Sequence, residues 1–154
     1  MLSIFVDADA CPVKKEIYVV AKRHNLRVIL VSNQPMRDPQ EDWIQLIIVG
    51  SELDEADDWI VDHLESDDII VSADIPLADR CLKRGACVLG PTGRPFTEDN
   101  IGEALATRDL LTRLYESRTI MGGPAPLKKE DRSRFLHSLD EMIQSIRRRR
   151  GLDT

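Results

Sequence analysis

Short apolar, β-branched runs alternate with segments of helical periodicity from Ser3 to Leu89, and this alternation constrains the fold more than any other feature. Ser3–Val6, Arg27–Val31, Gln45–Val49, Ile69–Ser72 and Cys87–Leu89 read as strands. Between them, Pro12 can open a helix in its first turn, and Val13, Ile17, Val20 and Ala21 recur at helical spacing to about His24. Leu53–Leu64 reads as a second helix with Ser51 as its N-cap. Pro76–Arg84 reads as a third, closed by Gly85 at the C′ position. Asn33–Asp42 is a polar loop with two prolines, so strands 2 and 3 lack an obvious connecting helix. This order implies a mostly parallel sheet of five strands with helices on both faces and right-handed crossovers, a three-layer α/β/α architecture.

Beyond Leu89 the pattern changes. Gly90–Pro95 reads as a loop, and Thr97 can cap a long helix through about Glu116. Gly122-Gly123-Pro124-Ala125-Pro126 breaks the chain, and Lys129–Arg150 is a second long helix. Its apolar stripe is Phe135, Leu136, Leu139, Met142, Ile143 and Ile146. At 154 residues, 42% apolar and 31% charged, the chain suits one globular domain over 1–154, with 97–150 as a helical extension packed on it. Aromatics are only 5%, so the core is expected to be aliphatic. The longest apolar runs are short, as in Leu46–Val49, which excludes a membrane span of about 20 residues. Met1 to Asp7 lacks the basic start of a secretory signal, and Cys11, Cys81 and Cys87 fit reduced thiols, so a cytoplasmic location is expected.

In open α/β sheets the functional crevice lies beyond the carboxyl ends of the strands, where strand order reverses. Strand 1 runs into Asp7-Ala8-Asp9-Ala10-Cys11-Pro12, and strand 4 into Ser72-Ala73-Asp74-Ile75-Pro76, with Asp79 in the next turn. If strands 1 and 4 are neighbours, Asp7 and Asp74 come side by side and repel each other unless a proton or cation lies between them. A lone Asp after a strand is usually a helix cap. Helical phase adds a third carboxylate: at about 100° per residue, Asp57 shares the sector of Ala56, Ile60 and Leu64 that faces the sheet, whereas Glu55 and Asp62 face solvent. Asp57 has no basic residue three or four positions away, so a metal shared with Asp7 and Asp74 would supply its missing partner. Asp9 and Asp79 complete the candidate ligands. An oxygen-only set suits Mg²⁺ or Mn²⁺ rather than Zn²⁺. There is no glycine-rich phosphate loop after strand 1, and the carboxylates around Cys11 oppose a reactive thiolate.

Charge is unevenly distributed. Residues 1–107 hold 10 Lys and Arg against 20 Asp and Glu, while residues 108–154 hold 11 against 7 and end in Arg147-Arg148-Arg149-Arg150. Such a segment is either a solvated helix that balances charge or a phosphate-contacting edge beside the acidic site.

Several strings resemble the YaiI/YqxD family of bacterial proteins. They are Asp7-Ala8-Asp9-Ala10-Cys11-Pro12-Val13-Lys14, Ala56-Asp57 with Ile60, Ser72-Ala73-Asp74-Ile75-Pro76-Leu77-Ala78, Gly90-Pro91 with Gly93, Phe96-Thr97 with Asn100-Ile101, Gly123-Pro124, and Asp131-Arg132 with Arg134-Phe135. The match runs from residue 3 to about 140. It departs from the family pattern at Ser72, where Thr is expected, and at Leu127, where Phe is expected. The resemblance implies a PIN-like nuclease fold with strand order 3-2-1-4-5 and two additional C-terminal helices. It carries over Asp7, Asp57 and Asp74 as the acidic set, with Asp79 a further candidate. Nuclease activity enters by analogy with that wider fold.

Three functions follow. The first is Mg²⁺- or Mn²⁺-dependent hydrolysis of phosphodiesters, with RNA favoured and Arg132, Arg134, Lys14 and Ser72 as candidate substrate-binding residues. The second is a non-catalytic module that binds RNA or protein through the basic segment. The third is a haloacid-dehalogenase-like phosphatase, with Asp7-x-Asp9 as nucleophile and acid and Ser32, Asp74 and Asp79 as looser matches. That reading leaves Asp57 without a role, and Pro12 leaves no room for the hairpin such enzymes place after strand 1.

Overall fold

The computed structural model describes residues 2–52, 54–116 and 127–151, without the side chains of residues 10 and 111–116. In chain order they form β1 (Ser3–Asp7), a 3₁₀ turn (Ala8–Ala10), α1 (Lys14–His24), β2 (Arg27–Ser32), β3 (Ile44–Ile48), α2 (Glu55–His63), β4 (Ile69–Val71), α3 (Ile75–Lys83), β5 (Cys87–Leu89), β6 (Pro95–Phe96), α4 (Glu98–Glu116) and α5 (Lys129–Arg149). The strands make one sheet of order β3-β2-β1-β4-β5-β6. All pairings are parallel except β5 with β6. The predicted break at Gly122–Pro126 lies outside the described residues.

Alternation along the strands sorts the core into two layers. Ile4, Val6, Val28, Leu30, Ile69 and Val71 pack with α1 and with Phe135, Leu139, Ile143 and Ile146 of α5. Phe5, Ile29, Val31, Ile70 and Val88 pack with α2, α3 and Ile101 of α4. The helix from Lys129 therefore completes one layer rather than decorating the outside, and its four buried residues are those of the predicted stripe.

The segment between β2 and β3 contains no helix, yet β2 and β3 pair in parallel. Its own apolar residues take the place of a helix. Met36 and Trp43 pack against the α1 layer, and Trp43 meets Tyr18 edge-on at 6.1 Å. Gly85 closes α3 at φ +84°, as its C′ position predicts.

Three expectations need correction. The loop after β5 turns back as a hairpin, so the sheet has a sixth, antiparallel strand. That hairpin docks on α5. A Cβ on Gly93 (φ +87°) would stand 2.7 Å from the Arg134 carbonyl carbon, and Ser138 donates to the Gly93 carbonyl at 2.8 Å. Pro12 does not open α1; the chain leaves β1 through a 3₁₀ turn at Ala8–Ala10, and α1 starts at Lys14, two residues beyond the proline. Ser51 does not cap α2, which starts at Glu55 after Asp54 in a left-handed conformation (φ +67°). Asn33 Nδ2 donates to the Gly50 carbonyl at 3.0 Å, which ties the chain just beyond β3 to the chain just beyond β2.

The structure decides between the two readings of the arginine run. Arg147 donates to the carbonyl of His24, and Arg149 meets Asp67 at 2.7 Å. His24 ends α1 just before β2, and Asp67 lies just before β4, so both mark the amino edge of the sheet. The run therefore ties α5 down at the edge opposite the acidic residues. Deleting residues 147–154 is expected to lower stability by roughly 1–2 kcal/mol, the scale of two charge-assisted contacts. RNA affinity, measured by fluorescence anisotropy, should stay within about twofold of the full chain if phosphates are held at the carboxyl edge.

Candidate metal centre

Strand parity and register assemble the site. Asp7 shares the strand face of Phe5, the face covered by α2 and α3. Val6 pairs with Val71, so Asp7 and Ser72 are the next residues along adjacent parallel strands. Ser72, buried, donates from Oγ to Asp7 Oδ2 at 3.1 Å and accepts from the Asp74 amide at 2.9 Å. Asp74 then caps α3, its Oδ1 accepting from the Leu77 amide at 3.0 Å. The first turn of α2 brings in Asp57. Asp7, Asp57 and Asp74 each offer one carboxylate oxygen, and the three atoms lie within 4.8 Å of one another. No other trio of His, Cys, Asp or Glu comes this close among the described residues.

Crowding and burial raise the cost of charge here. Burial pushes the Asp57 carboxyl up to about 7, helped by repulsion from Asp74, Asp7 and Asp54 and opposed by Arg80. Burial also raises Asp7, against the Ser72 hydrogen bond and with repulsion from Asp74 and Asp9. Among the described residues none of the three forms a salt bridge. An oxygen-only set of unpaired, mutually repelling carboxylates fits a hard divalent cation.

Of the other predicted ligands, Asp9 is exposed and turned toward β2. Its two oxygens accept from Ser32 Oγ at 2.7 Å and the Asn33 amide at 2.8 Å. Asp79 pairs with Lys83 at 2.9 Å, one turn along α3. Neither belongs to the close trio. The candidate substrate-binding residues also divide. Lys14 starts α1 at the carboxyl edge and forms no ion pair among the described residues. Arg132 donates to the Pro12 carbonyl at 2.8 Å and to Glu16 at 3.0 Å, and so joins the starts of α5 and α1. Arg134 meets Asp131 at 3.1 Å and reaches the Thr92 carbonyl at 3.5 Å. Cys11 lies nearby, and burial pushes its thiol up, away from the nucleophilic thiolate. Sequence reasoning missed Arg80, whose guanidinium meets Asp58 at 2.9 Å beside the trio; no spacing in the chain singles it out.

A model described as "Uncharacterized BCR, YaiI/YqxD family" matches residues 5–145, which include all three carboxylates. The chain belongs to the YaiI/YqxD family. Its relatives include a UPF0178 protein of Rhodopseudomonas palustris, 51% identical over 98% of this chain and 96% of its own. A UPF0178 protein of Rhodospirillum rubrum is 50% identical over 97% of this chain and 100% of its own. No solved structure matches the chain. Among the described residues, no helix of this YaiI/YqxD member is long and apolar enough to cross a membrane.

Ser72 is the residue that couples the two strand ends, and its hydroxyl supports the charged form of Asp7. If Asp7 holds a cation, Ser72→Ala is expected to weaken Mn²⁺ binding by about tenfold, the scale of losing an orienting hydrogen bond behind a metal ligand. Ser72→Thr keeps the hydroxyl and should bind normally. Calorimetry showing equal Mn²⁺ affinity in Ser72→Ala and the wild type would count against this role.

Proposed function

We propose that this protein is a metal-dependent nuclease that hydrolyses phosphodiesters, with RNA as the favoured substrate and Mg²⁺ or Mn²⁺ as cofactor. The observation that carries the proposal is the convergence of Asp7, Asp57 and Asp74 from β1, α2 and α3 at the carboxyl edge of the sheet. The central strand order β3-β2-β1-β4-β5 supports the analogy with PIN-like nucleases, which place carboxylates after strands 1 and 4 and on an intervening helix.

In this reading Asp7, Asp57 and Asp74 hold the cation. Ser72 keeps one Asp7 oxygen in place, and the Leu77 amide keeps one Asp74 oxygen in place. The cation, when bound, polarises a phosphoryl oxygen and lowers the pKa of water. Lys14 starts α1 at the same carboxyl edge of the sheet, on the face opposite α2 and α3. The phosphatase alternative is weakened by Asp9, whose oxygens are both engaged with β2 instead of standing beside Asp7 as an acid.

The test is incubation with Mn²⁺ against single-stranded RNA, single-stranded DNA and a generic phosphomonoester. Cleavage of RNA, abolished by chelator, is the expected result. Release of phosphate from the monoester alone would favour the phosphatase, and no turnover with retained RNA binding would favour the non-catalytic module.

A further inference from the structure

Arg80 is a cation close enough to oppose the upward shift of Asp57, and nothing in the nuclease reading uses it. It lies in the second turn of α3, on the helix that Asp74 caps, and its guanidinium reaches across to the first turn of α2. There it meets Asp58, the neighbour of Asp57, at 2.9 Å. Both partners are open to solvent, with side chains 42% and 58% exposed. An ion pair this exposed is weak. A backbone phosphate offers the same guanidinium two non-bridging oxygens that accept a pair of hydrogen bonds, and it belongs to a polyanion whose neighbouring charges add to the attraction. Asp58 therefore holds Arg80 at the rim of the site without committing it.

We infer that Arg80 binds a phosphate of the single-stranded RNA substrate on the α2–α3 side of the carboxylate trio, and that Asp58 is its resting partner. This rests on the nuclease reading and deepens it, because it assigns the residue that meets the backbone on that side. Arg132 and Arg134 are tied to neighbouring groups of the chain, whereas among the described residues Arg80 is tied only to an exposed carboxylate.

The test is fluorescence anisotropy of a labelled single-stranded oligouridylate, with Ca²⁺ in place of Mn²⁺ to limit cleavage. Arg80→Gln should bind about tenfold more weakly, as expected for loss of one charge-assisted phosphate contact. Its salt dependence should fall by about 0.7 in the slope of log K against log salt, the value for one phosphate contact on a single strand. Asp58→Asn should bind about threefold more tightly, since the resting pair is worth under about 1 kcal/mol. The melting temperature should stay near wild type in both variants. Unchanged RNA affinity and salt slope in Arg80→Gln would overturn the assignment while leaving the nuclease reading intact. A wild type that binds no RNA would overturn both, and a large fall in melting temperature with an unchanged salt slope would make Arg80 a structural tie instead.

Discussion

Asp57→Asn is expected to raise the melting temperature of the metal-free protein by about 2–4 °C at pH 8, and to lower it relative to wild type once Mn²⁺ is in excess. In the folded chain the Asp57 carboxyl is raised to about 7 from 3.8, chiefly by burial and then by Asp74 and Asp7. The folded state thus binds more protons than the unfolded one between about pH 4 and pH 7. The stabilising contribution is fully present below the unfolded pKa and is lost as pH rises through the folded one. At pH 8 the wild type carries the whole penalty of a crowded, charged carboxylate. Asparagine removes that charge at nearly the same size. Because Asp57 is half-exposed, solvent screening brings the penalty to about 1 kcal/mol, which for a chain of this length is a few degrees. A cation that binds only the folded state adds about 2.7 kcal/mol at a hundredfold excess over its dissociation constant, and the wild type gains most of it. Thermal melts in chelator and in Mn²⁺, at pH 5 and pH 8, check the prediction. If asparagine instead destabilises the chelated protein by several degrees and Mn²⁺ changes nothing, Asp57 is a structural partner and no metal centre exists there.

Asp74→Asn should reduce Mn²⁺-dependent RNA cleavage by about 10² to 10³-fold, the scale of removing one preorganised electrostatic group from an active site. This substitution is informative because Asp74 has two roles. It caps α3 through Leu77, and asparagine caps helices about as well as aspartate. The fold should therefore survive with a melting temperature near that of wild type, while one of three negative charges around the cation is gone. Asp7→Asn should lose activity to a similar degree, though its hydrogen bond with Ser72 has to be remade by an amide. Cleavage by Asp74→Asn at the wild-type rate would remove the carboxylate trio from the mechanism. A fall in cleavage accompanied by a fall in melting temperature would leave capping as the cause, which the chelator melts of the same variant would reveal.

Much of this architecture was legible in the chain itself. Each of the parallel strands β1 to β5 is a short, mainly apolar run, as burial under helices on both faces of a parallel sheet demands. Asp57 could be assigned to the buried face because helical phase is a local property: neighbours at positions 56 and 60 face the same way whatever the rest of the chain does. The stripe from Phe135 to Ile146 was readable for the same reason. Contacts between distant segments were not. The hairpin of β6 forms because Gly93 can approach the backbone of α5, forty residues on, and a two-residue strand has no periodicity to announce it. Ser51 offered a good cap by composition, yet α2 starts at Glu55, after Asp54 in a left-handed conformation, while Gly50 is held by Asn33. The arginine run had a clear charge but no direction. Only the packing of α5 beside α1 set it against His24 and Asp67, at the edge away from the carboxylates. Local periodicity therefore determined which residues are strands, helices and buried acids, while the tertiary fold alone decided which charges meet, because an ion pair depends on distances that sequence separation does not encode.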